Sequence, residues 1–195
     1  LIDTYIVADP SKPIATFGKG LVSLIVERGV DAIDALPPGI RGDGTAVAAT
    51  IINNVRRTIV DARGLNPKYY DRMSTLLDTI IEKRRENAVA YSEYLNELLS
   101  LAAEVGGSES DESYPNWVNS LGKRALVDFV WPENMELDLE VLYLAIQNQK
   151  EHGWIGNQMK ERAFAQLLRR QLPDNFESEK IDELVHLLKA HDEYR

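Results

Sequence analysis

The sequence predicts an all-α fold, a multi-helix bundle with room for two helical subdomains. Three observations carry that prediction. Apolar residues recur at three- and four-residue steps through most of the chain. Capping residues stand where those periodic segments begin and stop. No convincing series of alternating strands and no internal repeat interrupts them.

The first 40 residues are the least decided. "GLVSLIVERGV" reads as a short helix or a strand, because a Val/Ile run of this length fits both. "VDAIDALPPGI" is a helical turn stopped by Pro37 and Pro38, and "GIRGDGT" is a loop. From there the pattern is clear. In "TAVAATIINNVRRTIVDARG" the stripe is Ala48, Ile51, Ile52, Val55 and Ile59, with Gly64 as the stop. Asn66 stands at an N-cap position with Pro67 at the first helical position, where its missing N–H costs nothing. Tyr70, Met73, Leu77, Ile80 and Ile81 form the next stripe. Ser92 is the expected cap of a third helix, with Leu95, Leu98, Leu99 and Ala102 inward and Gly106 at its end. Helices at 44–63, 67–87 and 92–105 make a helical hairpin bundle.

The stretch "GGSESDESYPN", residues 106–116, is Gly/Ser-rich, acidic and aperiodic. It is predicted to be a flexible acidic loop and the best candidate boundary. Residues 117–195 then form a C-terminal helical subdomain. Leu139, Leu142, Ala145 and Ile146 share one face, "NQMKERAFAQLLRRQLP" stops at Pro173, and Ser178 caps a last helix with Ile181, Leu184, Val185 and Leu188 inward.

The 195 residues allow one large domain or two small ones. A hydrophobic content of 44% with 27% charged residues fits an ordinary globular protein. The net charge of −9 argues against binding DNA over the whole surface, since phosphate affinity comes from Lys and Arg. There are no cysteines, which excludes disulfides, thiol catalysis and Cys-ligated zinc, and suits the cytoplasm. No apolar run approaches the roughly 18 residues of a membrane span, so no membrane partner is expected. The start, "LIDTYIVADP", has no Met and no signal-peptide pattern, and reads as the opening of an excised fragment.

The usual catalytic constellations are not found. No G-x-x-x-x-G-K-[ST] string exists to cradle phosphates, and "GDG" at 42–44 is a turn. His186 and His191 are five apart, on different helix faces, and His152 lies near a helix end. No cofactor or metal site is expected. Glu133, Glu136, Asp138 and Glu140 cluster at a helix start, where negative charge is favoured. "PDNFESEK" has a Pro-Asp but lacks the Glu-x-Lys spacing of a restriction-type nuclease. The serines lack a nucleophile elbow. No active site is expected in this chain.

Four small basic clusters remain: Arg56/Arg57, Lys83/Arg84/Arg85, Lys123/Arg124 and Arg169/Arg170. Those at 83–85 and 169–170 fall in the last turns of predicted helices, where the macrodipole favours cations by about 0.3–1 kcal/mol each. Arg85 also stands three residues from Glu82. These local reasons suffice for solvated helix ends, and contact with a partner or with phosphate is the alternative.

One resemblance organises these observations. The run "TIINNVRRTIVDARGLNPKYYDRMSTLLDTIIEKRRENAVAYSEYLNELLSLAAEV" resembles the C-terminal helical region of the R (HsdR) subunit of type I restriction–modification enzymes. The likeness extends upstream through "LIDTYIVADPSKPIATF" and "LIVERGVDAIDALPPGI", and downstream through "YPNWVNSLGKRALVDF" and "HGWIGNQMKERAFAQLLRRQL". Asn-Pro-x-Tyr-Tyr and Gly-Trp-x-Gly-Asn are its most specific strings, and it covers nearly the whole chain. It implies that residues 1–43 link a helicase part to the helical part, with the bundle at 44–105 following. It implies a longer parent, a type I site-specific deoxyribonuclease with a nuclease domain and two RecA-like motor domains. ATP and Mg²⁺ serve that parent, whose catalytic residues have no counterpart positions here. The implied partners are the modification (M) and specificity (S) subunits, the helicase domains of the same parent chain, and DNA through the assembled complex. The implied setting is the prokaryotic cytoplasm. A docking role further implies an exposed aromatic patch, for which Trp117, Trp131, Trp154 and Phe164 are the candidates.

Overall fold

The computed structural model describes residues 20–86, 89–107, 114–133 and 137–195. Most of the acidic stretch 106–116, Glu136 and the first 19 residues, including "LIDTYIVADPSKPIATF", lie outside the described residues. Among the described residues the regular elements are all helical, so the predicted all-α bundle is what the chain forms.

The Val/Ile run forms helix α1, Leu21–Arg28, because Leu21, Val22 and Ile25 bury one helical face. It ends at Gly29, whose φ of 58° lies in the left-handed region that favours glycine. A 3-10 turn, Gly29–Ala35, leads on. The predicted loop at "GIRGDGT" needs correction. Pro38 starts a one-turn helix, α2, Pro38–Arg41, and Asp43 caps α3, Gly44–Ala62, by accepting from the Thr45 N–H at 2.9 Å. Proline suits the first turn of a helix, where its nitrogen has no intrahelical acceptor to meet.

Helix α4, Pro67–Arg85, begins as predicted: Asn66 Oδ1 accepts from the Tyr69 N–H at 3.2 Å. Helix α5, Tyr91–Gly106, does not. Its N-cap is Ala90 and Ser92 lies inside the first turn. The start is held instead by Tyr91, whose hydroxyl donates to the Gly44 carbonyl at 2.7 Å. Gly106 is the last helical residue rather than the stop, and a Cβ there would lie 2.5 Å from Val22 Cγ1. That close approach lets α1 pack on α5. Core one is built from α1, α3, α4 and α5, around Ile51, Val55, Leu98 and Ala102, all fully buried. Residues of 20–43, including Leu21, Ala32 and Leu36, belong to this same core.

Core two comprises α6, Leu121–Val130, α7, Leu139–Gln149, α8, Gln158–Gln171, and α9, Ser178–Lys189. Ser178 is the first residue of α9 and makes no cap bond; Glu177 holds the N-cap position. The Gly-Trp-x-Gly-Asn segment is a tight α7–α8 connection. Gly153 and Gly156 have φ of 65° and 83°, and Asn157 caps α8 by accepting from the Met159 and Lys160 N–H groups. Trp154 is fully buried and stacks on Phe164 at 4.0 Å.

The C-terminal turn locks this second core. Tyr194 is fully buried; its hydroxyl donates to the Gly122 carbonyl at 3.0 Å, and its own carbonyl accepts from Trp154 Nε1 at 2.6 Å. The Glu193 carboxylate accepts from Ser120 and, at 2.9 Å, from the Tyr143 hydroxyl. The Glu193 backbone carbonyl accepts from Gln147 and Lys150.

Polar bonds join the two cores, among them a side-chain hydrogen bond between Arg72 and Tyr114. Asn66 Nδ2 donates to Asp128 Oδ2 at 2.6 Å, and the buried His191 ring lies 2.8 Å from the Leu65 carbonyl through Nε2. Asn66 therefore caps α4 and grips α6 with the two ends of one amide.

Two outcomes are expected. Asn66→Ala loses the cap and leaves Asp128 short of a donor, lowering stability by about 1–3 kcal/mol. Asn66→Asp keeps a capping oxygen but sets a carboxylate against Asp128, so it should also melt lower. The shift is about 2–4 °C per kcal/mol at this size. A wild-type melt for Asn66→Asp would mean the crossing bond contributes nothing. Alkaline stability is the second. Burial first, then the Glu193 hydrogen bond, pushes the Tyr143 phenol up to about 12 from 10.0, and burial also raises Tyr194. A phenol that holds its proton more tightly when folded contributes in full below about pH 10 and loses that contribution as pH climbs toward 12. Melting temperature should be flat below that window and fall within it, with tyrosinate absorbance rising together with unfolding. Tyr143→Phe should make the fall shallower.

Candidate functional site

The predicted basic clusters are dispersed and mostly matched. On α3, Arg56 bonds Asp78 at 3.1 Å and Arg57 lies 3.6 Å from Asp61. At the end of α4, Lys83 pairs with Glu97 at 3.6 Å and Arg85 with Glu82 at 3.7 Å. Arg84 turns inward, donating to the Val89 carbonyl at 3.0 Å beside the Tyr91 and Tyr94 rings. Lys123 donates to the Trp117 carbonyl and Asn119 and sits 4.8 Å from the Tyr143 ring centre. Arg124 is corrected as a contact candidate: it is 7% exposed, packed 5.4 Å from the Tyr114 ring centre, and its Nε has no hydrogen-bond partner. Arg169 and Arg170 are exposed on α8; Arg170 bonds the Gln166 carbonyl and lines a small pocket of about 120 Å³ with Lys150 and Lys160. Lys150 and Lys160 are themselves spent on the Glu193 and His152 carbonyls.

The aromatic candidates divide. Trp154 and Phe164 are core residues, correcting their candidacy as surface. Trp117 is half-buried against Tyr143 at 5.9 Å. Trp131 is 44% exposed, and it marks the site.

Trp131 follows α6 directly, opening a 3-10 turn, Trp131–Glu133. One helical turn before it on α6 are Val127 and Asp128. The loop ahead of α6 supplies Tyr114 and Pro115, and α4 supplies Lys68 and Arg72, four apart on one face. With Pro132 these residues line an open pocket of about 390 Å³ at the junction of the two cores. A second pocket of about 210 Å³ shares Pro115, Val127 and Trp131, and adds Trp117, Leu137, Asp138, Leu139 and Glu140. The indole thus stands between two hollows of one groove.

Asp128 organises the wall. Its carboxylate accepts from Asn66 and, at 2.7 and 2.8 Å, from the Tyr114 hydroxyl. Burial, reinforced by that hydrogen bond, pushes the Tyr114 phenol far above its usual value, so it remains a neutral donor. Lys68 lies 5.8 Å from the Phe129 ring centre and Arg72 5.5 Å from that of Tyr69. Among the described residues neither cation has a carboxylate at ion-pair distance. Also among the described residues, no group of three or more His, Asp or Glu is placed to hold a metal ion. No helix there is long and apolar enough to cross a membrane.

Lys68, Arg72, Tyr114 and Asp128 were missed by reading clusters along the chain. The four-residue step from Lys68 to Arg72 was a visible signal. Their meeting with Tyr114 and Asp128 was not, because it needs two separate cores to touch. Compared with protein-family models, curated proteins and solved structures, the chain has no match.

Exposed pairs such as Arg57–Asp61 and Arg85–Glu82 contribute about 0–1 kcal/mol. Arg57→Ala and Arg85→Ala should therefore leave the denaturant midpoint almost unchanged. Arg124→Ala should cost roughly 1–3 kcal/mol, because it removes buried packing behind Tyr114. Chemical unfolding of the three variants checks the contrast.

Proposed function

We propose that this chain is a non-catalytic assembly module, the C-terminal helical region of a type I restriction–modification R subunit, which docks on the methyltransferase core of M and S subunits. The single observation that carries the docking role is Trp131, a large aromatic left exposed beside open pockets where the two cores meet. A few residues carry most of the binding energy in protein interfaces, and Trp is prominent among them. The resemblance in Asn66–Tyr70 and Gly153–Asn157 supports the family assignment, and both strings sit at architectural positions. In this reading ATP, Mg²⁺, nuclease and motor chemistry belong to other parts of the parent, in the prokaryotic cytoplasm.

The test is retention of the 195-residue chain on an immobilised M–S core at micromolar concentration. Retention is expected, with Trp131→Ala reducing affinity by at least about tenfold. Absence of retention would overturn the assignment. Since Trp131 is outside both packed cores, circular dichroism of Trp131→Ala should match the parent chain.

A further inference from the structure

The groove around Trp131 carries opposite charge at its two ends. Lys68 and Arg72 line one hollow; Asp138 and Glu140 line the other; Pro115, Val127 and Trp131 are common to both. Asp128, the carboxylate in the cationic hollow, is already committed to Asn66 and Tyr114. It therefore lends its hydrogen-bonding capacity to the fold rather than to a ligand. Asp138 spends one oxygen on capping α7, accepting from the Glu140 and Val141 N–H groups at 3.1 Å, and among the described residues its second oxygen makes no such bond. Glu140 is exposed and, among the described residues, has no cation at ion-pair distance.

We propose that this groove receives an extended segment of a partner protein bearing an acidic side chain, an apolar side chain and a basic side chain in that spatial order. The acidic group meets Lys68 and Arg72. The apolar group lies against the Trp131 indole between Pro115 and Val127. The basic group meets Asp138 and Glu140. The proposal rests on the docking reading above and names the chemistry of the docked segment. Burial against the indole supplies affinity, while the two unlike ends fix which way the segment lies. A chain of net charge −9 otherwise repels acidic partners, so the exposed cations at one end discriminate sharply.

The probe is an acetylated, amidated Glu-Glu-Leu-Phe-Lys-Lys peptide, titrated into the isotope-labelled chain while the Trp131 indole N–H resonance is followed. That resonance should shift saturably. The same peptide with Gln at all four charged positions should bind about tenfold more weakly, as should Lys68→Glu/Arg72→Glu with the original peptide. The double variant should recover affinity for Lys-Lys-Leu-Phe-Lys-Lys. Both positions are exposed, and because Arg72 also bonds Tyr114, the peptide titration is repeated with Lys68→Gln, which should weaken binding in the same direction while circular dichroism matches the parent chain. No shift at millimolar peptide, or equal affinity for charged and neutral peptides, overturns the groove proposal. Core retention that persists in Lys68→Glu/Arg72→Glu and Trp131→Ala also overturns it, while leaving docking through another surface intact. Peptide binding without core retention sustains the groove and removes the M–S partner.

Discussion

The Asp128 carboxylate is the point on which the arrangement depends. It sits in the last turn of α6, within an otherwise apolar run, and accepts from Asn66 on one side and Tyr114 on the other. A carboxylate taken partly out of water needs donors, and these two supply them. Asn66 is also the cap of α4, so Asp128 lies at that helix's positive end, where the macrodipole favours it. One group thereby positions α4 against α6 and draws Tyr114 onto the groove wall.

The two strings that carry the family resemblance act through structure. In Asn-Pro-x-Tyr-Tyr, Asn66 caps and crosses, Pro67 opens the helix, and Tyr69 and Tyr70 are buried edge-to-face at 5.0 Å. Tyr69 also reaches α5 by donating to the Glu104 carbonyl. Lys68, between Pro67 and Tyr69, lines the groove. In Gly-Trp-x-Gly-Asn, the glycines take left-handed turns, Trp154 fills the core and holds the C-terminal turn, and Asn157 starts α8.

Charge on this chain is used in two ways. On α3 and at the end of α4, Arg56, Arg57, Lys83 and Arg85 each lie at ion-pair distance from a carboxylate, while Arg84 turns inward to the Val89 carbonyl. Around Trp131, among the described residues, Lys68, Arg72 and Glu140 have no ion-pair partner; the two cations line one hollow and Asp138 and Glu140 the other. Exposed ions hold little stability either way. Their consequence is selectivity at a surface whose affinity comes from an aromatic ring.

From the sequence by itself the helical class, the stripes of α3–α5, α7 and α9, the cap at Asn66 and the stop at Gly64 could be read, because each depends on residues within one or two turns. The Val/Ile run of α1 and the caps proposed at Ser92 and Ser178 could not, since neighbouring helices decide which face is buried and Tyr91 anchors α5 from afar. Trp117, Trp131 and Trp154 are equally aromatic in sequence, yet one is half-buried, one exposed and one in the core. Arg124 and Arg169 are equally basic, yet one is enclosed and one open. Only the tertiary structure made those distinctions, and only it brought Asn66 to Asp128 across 62 residues. Periodicity records the local helix, whereas burial and the meeting of two cores depend on how whole helices pack.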